Sequence, residues 1–305
     1  MTDNLDPPAL RDLEPTVSYF GQPLLKRPSW GWSVIGYLFL GGIMGGCGIL
    51  VALSERRGDS GDRKLARNAK YLSLALAAAC PVVLISHLGR PERFLYMLRI
   101  VKLKSPMSLG VWGLVAFSGV AGLNAVTAFF GKRGGVLNLP QALLGGFIAG
   151  YTGVLLSATA IPLWAKGKFH IPALCVCSGI AGACALNAML LAADHAPETI
   201  HKLERLEMVA GLAEAGILLH FGSFSGIYGK PMYDGKRGER LRTYTLIFGT
   251  AVPLALNALP IFKGPLKTLI SSALTLLGGY VLREALIEAG KDSADDPKAA
   301  FRQPE

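Results

Sequence analysis

A chain of 305 residues is long enough for one large domain or two ordinary ones, and its composition narrows the choice. Hydrophobic residues make up 51% and charged residues only 17%, against about 25% charge in a typical soluble domain. An ordinary water-soluble enzyme and a disordered chain are both excluded on that ground. The formal net charge of +10 does not point to nucleic acid, because Lys and Arg sit in short gaps between apolar runs, as they do at membrane edges.

In chain order, residues 1–32 form a polar, proline-rich N-terminal arm. Eight apolar runs follow, at about 33–54, 69–87, 109–130, 141–164, 171–193, 206–224, 244–262 and 265–288, each near the roughly 20 residues a helix needs to cross a bilayer. The fold class expected is an all-α integral membrane protein of eight transmembrane helices over 33–290, packed as two four-helix bundles. Residues 291–305 read as a disordered tail. The first apolar run begins too late and is too long for a cleavable signal peptide. An even number of spans puts both termini on one face. Lys and Arg are more numerous on that face than on the other, which favours cytoplasmic termini in a cytoplasmic (inner) membrane. The basic stretch Arg56, Arg57, Arg63, Lys64 and Arg67 opposes that orientation.

Five cysteines (Cys47, Cys80, Cys175, Cys177 and Cys184) lie inside apolar runs. None forms a Cys-x-x-Cys pair or a metal-binding spacing, so no iron–sulfur cluster is expected in this chain. No histidine pair is clearly set at mid-membrane depth on facing helices, so no haem is expected either. Walker, HExxH and Ser-nucleophile signatures are missing.

Ionisable groups inside or at the ends of the spans carry the chemistry, because a bilayer makes them costly to keep. Glu207 and Glu214 fall on one face of the sixth run, with Glu214 near mid-span, and Asp194 ends the fifth run. The three are candidates for a proton path or the acidic lining of a cavity; the alternative is acids bonded to neighbouring helices through Asn124, Asn187 or Asn257. His87 closes the second run, where an imidazole can pass protons to water. Arg90 and Arg93 follow at the membrane edge, placed to meet lipid phosphate, a partner or an anionic substrate. Gly89 and Pro91 end that helix, and Ser108 is placed to cap the next. Arg283, Glu284 and Glu288 read as an interfacial charge network at the end of the last run.

Two motifs stand out: His87-Leu88-Gly89-Arg90-Pro91-Glu92-Arg93-Phe94 and Ser105-Pro106-Met107-Ser108-Leu109-Gly110-Val111-Trp112-Gly113. With the glycine-rich stretch from Tyr37 to Gly46, Tyr151-Thr152-Gly153 and Ile161-Pro162-Leu163-Trp164, the chain resembles the NrfD/PsrC family, the membrane subunits of polysulfide-reductase-type complexes. The likeness spans nearly the whole chain and is most specific in the first four runs. It implies a bacterial or archaeal respiratory subunit that binds menaquinone or ubiquinone within the bilayer. It also implies electron exchange with a ferredoxin-like iron–sulfur subunit, which serves a catalytic subunit, often of molybdopterin type. By the same resemblance Tyr37 and Tyr151 are the quinone-binding positions, with Arg90 nearby. Tyr37 stands where the polysulfide-reductase relative has His, and a phenol, with a reference pKa near 10, is the poorer proton shuttle. Relatives commonly dock the redox partner on the face where the first span begins. Two other readings remain: a secondary transporter or proton channel, which a mid-span acid and glycine-broken helices permit, and a passive membrane anchor for a redox complex.

Overall fold

The structure, a computed structural model, describes residues 25–55, 59–86, 92, 96–99, 101–102, 104–194, 196–258 and 264–296. Its long helices are α1 (Trp32–Glu55), α2 (Ser60–Ile85), α3 (Pro106–Phe129), α4 (Asn138–Ser157), α5 (His170–Ala192) and α6 (Pro197–Ser225). A π-helix, Leu241–Ala251, then runs directly into α7 (Val252–Ala258), and α8 (Pro265–Asp295) closes the fold. Among the described residues, seven helical stretches are long and apolar enough to cross a membrane. The expected seventh run falls on the π-helix and α7, and its last residues lie outside the described ones. Several helices open on proline at the first or second position, Pro106 in α3, Pro197 in α6 and Pro265 in α8, where a missing N–H costs nothing.

The central element is α1, which packs most extensively against α2, α4 and α5. Its glycines make this possible. A Cβ on Gly45 would meet the Ala149 backbone nitrogen at 2.9 Å, and one on Gly46 would meet Ala183 Cβ at 2.7 Å. Close backbone approach of this kind drives helix association in lipid, where apolar burial gives little. Neighbour contacts run from α1 to α2, α2 to α3, α3 to α4 and α4 back to α1; α5 meets α6 and α8, and α8 lies along the π-helix. Exposed Leu123, Val126, Leu143, Val209 and Leu219 cover the outside with apolar surface.

The long helices overrun the sequence-derived boundaries. α8 continues through Lys291, where a disordered tail was expected, as far as Asp295, because its last turns are anchored: Arg27 bonds Asp295 at 2.5 Å and Asp292 at 3.3 Å, and Arg237 bonds Asp292 at 2.5 Å. These bonds place the start of α1 and the end of α8 on the same face. The expected single run 141–164 is broken after Ser157, and Pro162 starts a separate short helix, Pro162–Lys166. There Trp164 is fully buried, stacks on Trp30 at 5.2 Å and donates its indole N–H to the Leu286 carbonyl at 2.8 Å. Gly290 leaves the space its ring occupies. Trp164→Phe is expected to cost about 1–3 kcal/mol, since it removes the indole hydrogen bond and leaves a void in a fully packed site; the thermal midpoint in detergent measures it. Ser108 does not cap α3, which already begins at Pro106; its hydroxyl instead accepts the Lys102 backbone N–H at 3.0 Å.

Candidate functional site

Two of the sequence motifs meet at Tyr151. This residue sits in the last two turns of α4, stacks on Phe147 at 5.6 Å and donates its hydroxyl to the Pro106 carbonyl at 2.6 Å. The ring lies directly against Gly110, where any side chain would overlap it. Thus the Ser-Pro-Met-Ser-Leu-Gly stretch supplies both the acceptor and the space for Tyr151. Tyr37, one turn into α1, lies within electrostatic reach of Tyr151 and Cys80. Tyr37 is buried in an apolar cluster with Val34, Leu38, Ala77 and Leu114, and Tyr151, equally buried, packs on Phe147. The structure therefore brings the two tyrosines together from opposite halves of the α1–α4 group. His87 and Arg90, expected beside them, lie outside the described residues.

A second, polar constellation lies between α5, α6, α8 and the π-helix. A cleft of about 420 Å³, counting its open mouth, is lined by Ser178, Glu207, Glu214, Thr250, Asn257 and Thr275 among others. Glu207 accepts the Thr275 hydroxyl at 2.5 Å. Glu214 accepts a bond from Ser178 and lies within electrostatic reach of Arg283. Arg283 itself is only 1% exposed. One of its nitrogens bonds the Cys175 carbonyl at 3.1 Å, while Nε and Nη1 have no partner among the described residues. Gly42 of α1 leaves room for that guanidinium. One turn from Glu207 along α6, Glu204 is buried and pairs with Lys267 at 3.1 Å and with His201 at 3.1 Å. Glu204, Glu207 and Glu214 therefore form an acidic column along one face of α6.

The π-helix is part of this site. Thr250 turns its hydroxyl onto the Thr245 carbonyl at 3.1 Å, five residues back, and Pro253 brings no N–H to the next turn. Both loosen the ordinary helical ladder, as π segments near functional sites do. Gly249 and Gly278 then let the π-helix lie backbone to backbone on α8, with 2.6 Å between a Cβ built on Gly249 and the Gly278 Cα.

Asp194 does not join the column. It is exposed in the turn after α5, where its backbone carbonyl accepts Lys64 Nζ at 3.4 Å. Asn124 and Asn187 do not meet the acids either: Asn124 bonds Gln141 at 2.6 Å and Asn187 bonds the Ala183 carbonyl at 2.8 Å. Asn257 does line the cleft. Arg283 is not interfacial as expected, because α8 runs three turns further and carries it inward; Glu284 and Glu288 do pair near the surface, with Arg240 and Lys291. Sequence reading placed Arg283 at the interface and missed Glu204 and Lys267. A cation preceding two acids was the signal for Arg283, but nothing local distinguishes it from an edge residue.

A family model described as polysulphide reductase, NrfD, matches residues 23–292. The chain belongs to the NrfD family. No curated protein matches the sequence. Membership makes it a membrane protein of the kind that serves redox complexes as a membrane subunit, and the multiple apolar helices agree. Within this NrfD chain the tyrosine pair offers phenol oxygens beside apolar walls, the cluster around Tyr37 and the Phe147 ring against Tyr151, a chemistry that fits a quinone head group.

Proposed function

We propose that this NrfD-family chain is the quinone-reactive membrane subunit of a respiratory oxidoreductase complex, with protons moving through its acidic column. The observation that carries this reading is the burial of Tyr37 and Tyr151 within electrostatic reach of each other, beside the motif that opens α3. A bound menaquinone or ubiquinone would supply exchange of electrons and protons with an iron–sulfur partner, itself joined to a catalytic subunit. The chain's own residues bind and orient the head group. The Tyr151 proton is committed to the Pro106 carbonyl, so its oxygen retains acceptor capacity. That suits the hydroxyl of a quinol; meeting a quinone carbonyl requires Tyr151 to release Pro106.

The acids take the proton role. Glu204, Glu207 and Glu214 step inward from the end where α6 begins, and the cleft between Glu207 and Glu214 is polar enough to hold water. We read the π-helix and α7 as a further crossing, giving eight spans in two groups of four. The shared face of the α1 start and α8 end supports an even number. In this reading the complex sits in a bacterial or archaeal cytoplasmic membrane, with His87 assigned to proton transfer and Arg90 to the quinone.

The test is quenching of a fluorescent quinone-site inhibitor and oxidation of a menaquinol analogue by the chain with its co-purified partners. Tyr151→Phe is expected to weaken binding by about five- to tenfold, the worth of one hydrogen bond, and Tyr37→Phe by a similar factor. Unchanged affinity in both variants would overturn the assignment of the tyrosines. A chain that keeps its partner but binds no quinone is a passive anchor. Proton flux without quinone would return it to the channel or transporter reading.

A further inference from the structure

At the opposite end of the α1–α4 group from the tyrosines lies a basic pocket. It opens between the first turns of α2 and the turn joining α3 to α4, with a volume of about 670 Å³ counting its mouth. Its floor is a buried ion pair, Lys70 with Glu55. The carboxylate of Glu55 also accepts the Gly134 N–H at 3.1 Å and Asn138 at 2.5 Å, so its charge is fully used. The rim carries Arg63 and Arg67 from α2 and Lys132 and Arg133 from the turn. All four are exposed, and among the described residues none makes a side-chain hydrogen bond or ion pair. The rim is therefore an uncompensated cluster of four cations.

The turn that carries half the cluster is fixed. Gly131 has φ +67°, the Lys132 N–H reaches back to the Thr127 carbonyl at 2.8 Å, and the Gly131 N–H to the Ala128 carbonyl at 3.1 Å. This paired arrangement ends α3 and pins Lys132 in place. One step deeper, the same two helices turn apolar side chains outward: Tyr71 and Leu74 on α2, and Leu123, Val126 and Phe129 on α3, between 39% and 77% exposed. Cations at the helix ends above an outward-facing apolar wall form a surface of two chemistries.

We propose that this pocket binds the phosphate headgroup of an anionic phospholipid, whose acyl chains lie along the α2–α3 wall. Charge complementarity selects an anion, and the apolar wall immediately beneath selects one attached to hydrocarbon. Basic pockets between helices at a membrane edge are the known setting for such headgroups. A free anion would use the rim but not the wall. An acidic protein segment would also use only the rim. The site stands apart from the tyrosine pair and does not depend on quinone binding.

The experiment is lipid binding to the full-length chain in detergent, followed by native mass spectrometry and thermal shift. The probes are phosphatidylglycerol, diphosphatidylglycerol, phosphatidylcholine and inorganic phosphate. The variant neutralises the rim: Arg63→Gln, Arg67→Gln, Lys132→Gln and Arg133→Gln together. A control carries the same charge change on the other face, at Lys166, Lys168, Lys230 and Lys236. The anionic lipids are expected to bind roughly tenfold or more tightly than phosphatidylcholine, to weaken with salt, and to lose that advantage in the rim variant but not in the control. Equal loss in both variants would overturn the proposal, as would equal binding of phosphatidylcholine. Displacement by millimolar inorganic phosphate would reduce the pocket to a free-anion site. If the rim variant does not fold, single substitutions at Arg67 and Lys132, each exposed, must still lower the preference. A photo-crosslink from Val136 to an acidic protein, with no lipid retained, would also overturn it.

Discussion

Arg283→Met is expected to destabilise the protein by about 3–5 kcal/mol, and Glu214→Gln in the same chain to restore most of that loss. Both residues are buried, at 1% and 5% exposure, and each lies within electrostatic reach of the other. Removing the cation alone leaves the buried Glu214 carboxylate without the charge that offsets it, and an uncompensated buried charge costs several kcal/mol. Replacing both by neutral groups removes the attraction and the desolvation together, so the double variant stands near the wild type. Glu214→Gln alone is milder, because Arg283 keeps the Cys175 carbonyl. Met is chosen because its length fills the arginine stem's channel past Gly42 without adding charge. Thermal midpoints of the four proteins in one detergent complete the cycle. A mild effect of Arg283→Met, or a double variant no better than the single, would show that the guanidinium serves packing alone. The same four proteins separate stability from proton transfer: the double variant should fold and bind quinone-site inhibitors while turning over slowly, since the α6 column then lacks its innermost acid.

Much of this site was legible in the sequence, and what was not has a physical cause. Glu207 and Glu214 could be placed on one helix face from spacing alone, since seven residues make nearly two turns. Tyr37 and Tyr151 were reached by resemblance; periodicity gives no sign that residues so far apart come within electrostatic reach of each other. Glu204 escaped because its partner Lys267 is 63 residues away and on another helix. Arg283 escaped because helix ends were read from where apolar residues stop. The true end of α8 is set by Asp292 and Asp295 bonding Arg27 and Arg237, contacts that hydropathy cannot register. Asp194 was grouped with the other acids because it closes an apolar run, yet the run ends on an exposed turn. The π-helix was hidden because hydropathy registers apolar length and not the hydrogen-bond ladder; Pro253 within the run was its local mark.

Gly145→Leu is expected to prevent folding, while Gly146→Leu, one residue along the same helix, is tolerated. A Cβ on Gly145 would lie 3.3 Å from the Gly48 Cα and closer still to the Gly45 carbonyl, both of them backbone of α1. A side chain in the way can rotate aside, but backbone inside a central helix cannot. Overpacking a core typically costs about 1–3 kcal/mol even when side chains can adjust; with no adjustment open, the cost should exceed that range. The α1–α4 contact is among the most extensive in the fold, and the separation it permits positions Tyr37 against Tyr151. At Gly146 nothing lies within 4 Å, so the added leucine meets lipid or detergent and replaces a residue that weakens helices by roughly 0.5–1 kcal/mol. The measurement is the monodisperse fraction after detergent extraction, with the thermal midpoint of whatever survives. Equal yields of the two variants would mean that α1 and α4 separate easily, and the close glycine contact would then not be what sets the distance between the tyrosines. A collapse confined to Gly145→Leu, with Gly146→Leu keeping inhibitor binding, would tie the glycine-rich stretch of α1 to the spacing that the quinone reading needs.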